Sequence, residues 1–343
     1  MRDGEVVSRR AHNPKIVSSS LAPATKPQKL LRLFLCFIFL RISFFALSIH
    51  PMTHKSGFVN IIGHPNVGKS TLMNQLVGEK LSIITPKAQT TRHRILGIVN
   101  EEDYQIVYSD TPGIVDPAYK LQEGMMKFVY ASLEDADVLV LMVELGQKDL
   151  KNEKLELRLA QIETPLLVLV NKIDLSDQVA MEAAVQLWSE RFPKAEVFPI
   201  SALLGFNVDF LEKRVLELLP ESPPFYSKEN YTDKSERFIV EEKIREKILL
   251  IYKQEVPYSV EIEVEEFKDE ERIIRIRAII HVSRESQKVI IIGKKGEKIK
   301  RVGSDARKDL EEFFGKKIFL ELFVKVNKDW RNDEKQLRRF GYL

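Results

Sequence analysis

The sequence predicts an α/β protein: a mostly parallel sheet covered by helices, followed by a smaller α+β unit. Three observations carry that prediction. A glycine-rich loop beginning at Gly63 lies between an apolar run of strand length and a helix-like run. Three further polar motifs each follow a short apolar run, as residues at the carboxyl ends of buried parallel strands do. Beyond residue 225 the hydropathy rhythm changes and spells the order α-β-β-α-α-β. The length of 343 residues agrees with two domains at roughly 150 residues each. With 44% hydrophobic and 30% charged residues, a disordered or fibrous chain is excluded. The single cysteine, Cys36, excludes an internal disulfide framework and a cysteine zinc cluster.

Charge divides the chain into three regions. Residues 1–51 hold 8 Lys/Arg against 2 Asp/Glu, residues 52–224 hold 17 against 24, and residues 225–343 hold 28 against 24. Within the first region, LLRLFLCFIFLRISFFALSI (Leu30 to Ile49) is almost wholly apolar. Three readings of it compete. As a secretory signal it exceeds the usual 7–15 apolar residues. As a membrane anchor it has the right length, but Arg32 and Arg41 would each cost roughly 2.5–3.5 kcal/mol near the bilayer centre. Met52, six residues before the first predicted strand, offers a start that would leave residues 1–51 outside the working protein.

The first strand is FVNII, Phe58 to Ile62, and GHPNVGKS follows at once, with a helix over Thr71 to Gly78. This is a G-x-x-x-x-G-K-[ST] loop in its strand–loop–helix setting. Gly63 and Gly68 let main-chain N–H groups converge on phosphate oxygens beside a helix N-terminus. The candidate nucleotide-binding residues are therefore Gly63, His64, Pro65, Asn66, Val67, Gly68, Lys69, Ser70 and Thr71. Lys69 brings a point charge to the outer phosphates, and Ser70 a hydroxyl to Mg²⁺.

Next comes KAQTTRHRI, Lys87 to Ile95, where two hydroxyls, Thr90 and Thr91, are candidates for a second Mg²⁺ ligand; Thr91 is favoured. YQIVYSDTPG, Tyr104 to Gly113, is a strand ending in Asp110, Thr111, Pro112 and Gly113. Asp110 would hold Mg²⁺, and Gly113 would offer its N–H to a γ-phosphate. Ile114 follows, where a Ras-type enzyme has the glutamine that orients water. An apolar side chain cannot do so, and slow intrinsic hydrolysis is expected. Lys69, Thr91 and Gly113 are the catalytic candidates.

Two further strands, Val138 to Glu144 and Pro165 to Val170, lead to Asn171, Lys172, Ile173 and Asp174. A carboxylate accepts two parallel hydrogen bonds, matching the N1–H and 2-amino group of guanine, which adenine lacks. Val197 to Leu203 then sets Ser201 and Ala202 at another strand end, where their main-chain amides would meet the guanine carbonyl. Helices are expected over Lys120–Ala136 and Gln178–Phe192. The domain should end near Leu219, with a linker over Pro220 to Phe225.

In the last third, residues 233–255 have a helical rhythm, Ser259–Phe267 and Arg272–Val282 alternate as strands, and Lys316–Val326 closes as a strand. Between two helices lies Gly293-Lys294-Lys295-Gly296. A G-x-x-G turn lets a nucleic-acid backbone approach closely, because no side chain blocks it. Residues 284–308 hold 9 Lys/Arg against 3 Asp/Glu, a strongly basic field. Gly293, Lys294, Lys295, Gly296, Lys298, Lys300 and Arg301 are the RNA-binding candidates. The six histidines show no metal-ligand spacing, and His54, His64 and His93 are expected to face solvent or phosphate.

Together, GHPNVGKS, the KAQTTRHRI loop, DTPG, NKID, SAL and IIGKKGEKIK resemble the Era family of bacterial GTPases over Ser56 to Leu343. The resemblance implies a P-loop GTPase domain over 52–222 and a type II KH domain over 223–343, with residues 1–51 as an added leader. It implies GTP hydrolysis with Mg²⁺, binding near the 3′ end of 16S ribosomal RNA, and a role in 30S subunit assembly. It further implies a monomeric, cytoplasmic protein with peripheral association with the inner membrane. An apolar residue at Ile114 is usual in the family. The alternative from another class is a GTP-regulated membrane-surface protein whose basic C-terminal region binds lipid. A metabolic P-loop kinase is disfavoured, because NKID serves base selection and does nothing for a phosphoryl acceptor.

Overall fold

The computed structural model describes residues 54–343; the readings of residues 1–51 and of a start at Met52 lie outside the described residues. A six-stranded sheet is built from β1 (Lys55–Gly63), β2 (Ile95–Asn100), β3 (Tyr104–Asp110), β4 (Val138–Glu144), β5 (Leu166–Asn171) and β6 (Glu196–Pro199). The strand order is β2-β3-β1-β4-β5-β6. β2 runs antiparallel to β3 and every other pairing is parallel. Parallel strands covered on both faces read as continuous apolar runs. VLVLMV of β4 and LLVLV of β5 are buried throughout for that reason.

Helices α1 (Lys69–Val77), α2 (Lys120–Glu134), α3 (Glu153–Gln161), α4 (Gln178–Arg191) and α5 (Val208–Leu218) complete this unit. One core gathers Val59, Ile61, Leu72, Met73, Val140 and Met142, and a second gathers Ile62, Val129, Leu141, Val168 and Trp188. Each fully buried side chain of this size is worth about 1.5–3 kcal/mol over leaving it exposed. The chain crosses to opposite sides of β1 on entering β3 and β4, so the end of β1 is a topological switch point. A crevice opens there.

The second unit comprises α6 (Glu236–Ile251), β7 (Glu261–Asp269), β8 (Ile273–Val282), α7 (Glu285–Ile292), α8 (Glu297–Phe314), β9 (Lys317–Val326) and α9 (Glu334–Arg339). Its sheet has the order β7-β8-β9, antiparallel then parallel. The predicted order α-β-β-α-α-β is present, and α9 with the tail around it is an addition to it. Alternation along β8 turns Ile274, Ile276, Ala278 and Ile280 onto Ile244, Ile248, Val302 and Leu310 of the helices.

Residues 220–235 do not hang free. Ile98 of β2 donates its main-chain N–H to Tyr231 (2.7 Å), and Asn100 and Gln105 donate side-chain bonds to Asn230 and Tyr226. The linker thus covers the outer edge of β2. The tail returns to the first unit, where Trp330, Leu337 and Tyr342 pack on Leu121 and Met125 of α2. Main-chain N–H of Leu121 donates to the carbonyl of Arg331 (3.0 Å). The orphan donors that begin any helix are here met partly from the other end of the chain. Among the described residues, no helix is long and apolar enough to cross a membrane.

Candidate nucleotide cleft and nucleic-acid turn

The loop from Gly63 to Ser70 bends at Gly68, whose φ of 105° favours glycine. A Cβ at that position would lie 2.4 Å from the Asn171 amide nitrogen, so glycine also permits the close approach of the two motifs. Lys69 is buried and donates to the carbonyls of Gly63 (3.0 Å) and His64 (2.8 Å). Burial lowers its ammonium to about 8, against the raising effect of Asp110. Gly113 lies against Pro65, with no room for a Cβ, and the N–H of Ile114 donates to Gly63 (3.0 Å). The Ile114 side chain is in the core. Thr111 donates its hydroxyl to Ile61 (2.7 Å) and so fastens strand β3 rather than facing the cleft.

Ser70, Thr91 and Asp110 converge. The Ser70 hydroxyl lies 2.7 Å from Asp110 Oδ2 and 2.9 Å from Thr91 Oγ1, and Thr91 donates to the same carboxylate oxygen at 3.1 Å. Thr90, which lines the same cleft, spends its hydroxyl on Thr85 and Lys87 within its own loop. Asp110 Oδ1 is buried without a hydrogen-bond partner, and burial raises the carboxyl above its ordinary range. A set of hard oxygens with one unsatisfied carboxylate oxygen fits Mg²⁺.

Asn171 ties three motifs together. Its amide donates to the Val67 carbonyl (2.7 Å) and its oxygen accepts from Ala202 N–H (2.9 Å). Asp174 accepts from the Ser201 hydroxyl (2.6 Å), and Lys172 pairs with Glu144 (2.6 Å). The amides expected to meet a guanine carbonyl differ from that reading: Ser201 N–H donates to Phe206 (3.2 Å) and Ala202 N–H to Asn171. A bridge between Ser201 and Phe206 folds this loop on itself and uses the Ser201 donor. Lys69, Ser70, Thr91, Gly113, Asn171, Asp174 and Ala202 all line one cleft of about 620 Å³.

In the second unit, Gly293 ends α7 with φ 74°, and Gly296 precedes α8 with φ 78°. Lys294, Lys295, Lys298, Lys300 and Arg301 are exposed on and just after the turn. Val289 and Ile290 of α7 are exposed as well, while Ile291 is buried in the core. None of these residues lines the cleft that holds Lys69 and Asp174.

Two features escaped the sequence. His93 is only partly exposed: its ring stacks on Tyr342 (4.2 Å between centroids) and meets Phe238 edge-on (5.5 Å). Burial, then Lys234, Arg245 and Arg92, hold it well below the ordinary imidazole range. His64 is partly buried with Nε2 2.7 Å from the Leu150 carbonyl, and His54 Nδ1 lies 3.0 Å from that of Ser222. The segment holding Thr91 is also clamped to the second unit. Arg92, wholly buried, donates to Val260 (2.7 Å), Tyr258 (3.1 Å) and Glu261 (3.1 Å). Arg245 pairs with Glu242 (Nε to Oε1, 2.7 Å) and donates to the carbonyls of Gln89 and Thr90. Pairs separated by more than 150 positions leave no local pattern to read.

Comparison with known proteins agrees over most of the chain. A family described as 50S ribosome-binding GTPase matches residues 58–172, and the KH domain family matches residues 255–331. GTPase Era of Caldanaerobacter subterraneus subsp. tengcongensis is 45% identical over 294 residues, which is 85% of this chain and 99% of that protein. GTPase Era of Pseudomonas aeruginosa is also 45% identical, over 85% of this chain and 96% of its own. A crystal structure of Era in complex with MgGDPNP and nucleotides 1506–1542 of 16S ribosomal RNA superposes with a TM-score of 0.81 at 39% identity, covering 84% of this chain and 99% of that one. An Aquifex aeolicus Era variant bound to GDP and aluminium fluoride gives the same score and coverage.

Proposed function

The chain belongs to the Era family of GTPases, and from that premise we propose that it hydrolyses GTP with Mg²⁺ while binding 16S ribosomal RNA near its 3′ end. The role that follows is in assembly of the 30S subunit. The observation that carries the proposal is that Lys69 and Asp174 line one cleft.

In this reading, Lys69 leaves the carbonyls of Gly63 and His64 for the outer phosphates. Ser70, Thr91 and Asp110 hold Mg²⁺, which when bound neutralises charge on the phosphates. Gly113 lies where its N–H reports on a γ-phosphate, and Asp174 selects guanine. Ile114, packed in the core, leaves the attacking water without a side-chain partner from that position, so the intrinsic rate is slow. Residues 52–222 form the nucleotide unit and residues 223–343 the RNA unit. Gly293, Lys294, Lys295, Gly296, Lys298, Lys300 and Arg301 receive RNA: the turn admits the backbone and the lysines neutralise it. Thr91 ties the nucleotide to a segment clamped on the RNA unit, so the two ligands are coupled. The protein acts as a monomer in the cytoplasm, with peripheral association with the inner membrane.

Equilibrium binding tests the core of this. Material beginning at Met52 is expected to retain GDP and GTP in the presence of magnesium and to discriminate against ATP by up to about 10⁴-fold. Equal uptake of ATP would overturn the nucleotide assignment. RNA carrying the 1506–1542 sequence of 16S ribosomal RNA is expected to bind with a steep salt dependence. Replacing both Lys294 and Lys295 by Glu should abolish that binding while leaving GDP affinity unchanged. Unaltered RNA affinity in that variant would refute the RNA assignment.

A further inference from the structure

The clamp between the two units includes a contact that reaches the G-x-x-G turn. Four residues before Thr91, the Lys87 ammonium donates to the main-chain carbonyls of Leu249 and Tyr252. These carbonyls belong to the C-terminal end of α6, where helix carbonyls lack intrahelical partners and the helix dipole favours a cation. The chain then turns at Tyr252, and its buried ring extends into the core of the second unit. The Tyr252 hydroxyl donates to the carbonyl of Ile291 at 2.5 Å. Ile291 is in the last turn of α7, two residues before Gly293. On the same ring, the ammonium of Lys298, the second residue of α8, stands 5.7 Å from the centroid. Tyr252 therefore touches the helix before the turn and the helix after it. Its phenol is pushed up to about 12 by burial, so it remains a donor at neutral pH.

We propose that Lys87 and Tyr252 are positioning residues that join the Thr91 segment to the Gly293–Gly296 turn. Lys87 sets the C-terminal end of α6, and Tyr252 passes that setting to both helices flanking the turn. The proposal rests on the reading that guanine nucleotide occupies the cleft and RNA the turn. Neither residue lines the nucleotide cleft, and Tyr252 is buried, so each acts on the RNA surface through another group. Any contact that moves the Thr91 segment acts on Lys87, and any RNA contact that moves Gly293 acts on Tyr252. Coupling of this kind is reciprocal, so nucleotide and RNA must change one another's affinity by one factor.

The experiment uses the full chain, the 1506–1542 RNA, GDP and a non-hydrolysable GTP analogue. The quantity read is the ratio of RNA affinities in the two nucleotide states, together with the reciprocal ratio of nucleotide affinities with and without RNA. Wild type is expected to show a ratio of roughly 5–150-fold, the usual range of coupling between sites. Tyr252→Phe, which removes one hydroxyl and keeps the ring, and Lys87→Ala should each bring both ratios to within about twofold of one. Lys87→Arg keeps the cation at the helix end and should preserve most of the coupling. A defect of folding alone would weaken RNA binding in both nucleotide states and leave the ratio in place. Variants that keep the wild-type ratio overturn the proposal while the function stands. A wild-type ratio of one overturns the coupling altogether, and loss of guanine specificity or of RNA binding in wild type strikes the functional reading itself.

Discussion

Lys69 sits among carbonyls, away from water, and its ammonium is lowered to about 8. Phosphate stabilises only the charged form. Below about pH 8 that form is already present, so GDP affinity should be flat near neutrality. Above about pH 8 binding must take up a proton, and affinity should fall by up to about tenfold per pH unit. Calorimetric titrations across this range in buffers of different ionisation heat would reveal the uptake. Glu241 has the opposite setting: burial raises its carboxyl to about 8, although its side chain accepts from Val264 N–H (2.9 Å). An acid raised on folding contributes stability below its unfolded value, near 4.5, and loses it as pH rises through about 8. Glu241→Gln should therefore raise stability at neutral pH and flatten the dependence of melting temperature on pH. The side chain keeps some contact with solvent, so the gain is about 1 kcal/mol. Lys69 was legible because its chemistry lies within eight consecutive residues. Glu241 was not, because the strand that buries it comes twenty residues later.

Among the elements, α2 carries the contact with the tail. A Cβ on Gly124 would lie 2.8 Å from the Tyr342 carbonyl. In an isolated helix Gly→Ala stabilises by about 1 kcal/mol, but here the added methyl meets main chain that has little room to yield. Gly124→Ala should detach the tail, seen as faster proteolysis after residue 327 and a shift in Trp330 fluorescence, since Trp330 is buried in that contact. The strands before each motif were readable because parallel strands buried on both faces are unbroken apolar runs. β2 was not, since ILGIVN is short, contains a glycine and lies directly after a polar loop. The tail helix α9, with six residues, is too short for a helical period to register, and its partners on α2 lie more than 200 positions away.

At the scale of the whole molecule, Arg92 joins the units through a buried ion pair with Glu261, and Arg245, paired with Glu242 on its own helix, joins them through hydrogen bonds to the carbonyls of Gln89 and Thr90. Glu261 is held between them, with burial raising its carboxyl and Arg92 opposing that, and it also accepts from the Tyr342 hydroxyl (2.8 Å). Removing one partner of such a pair leaves a buried charge unmatched, at a cost of about 3–5 kcal/mol. Wild type is expected to melt in one calorimetric transition. Arg92→Ala should lower the melting temperature and separate two transitions, one for each unit; a single unshifted transition would show that the interface contributes little. Both folds could be anticipated from periodicity and motif order. The manner of their joining could not, because a lone arginine after two threonines looks the same whether it faces water or a neighbouring domain.

The segment laid along β2 bears on how the protein can be dissected. An uncovered strand edge offers a row of unpaired main-chain donors and acceptors and invites pairing with another chain. A fragment cut after the last helix of the nucleotide unit, near residue 222, would bare that edge and should self-associate at high concentration. One extended through residue 235 would keep Tyr231, Thr232 and Asp233 against the strand and should stay monodisperse in light scattering.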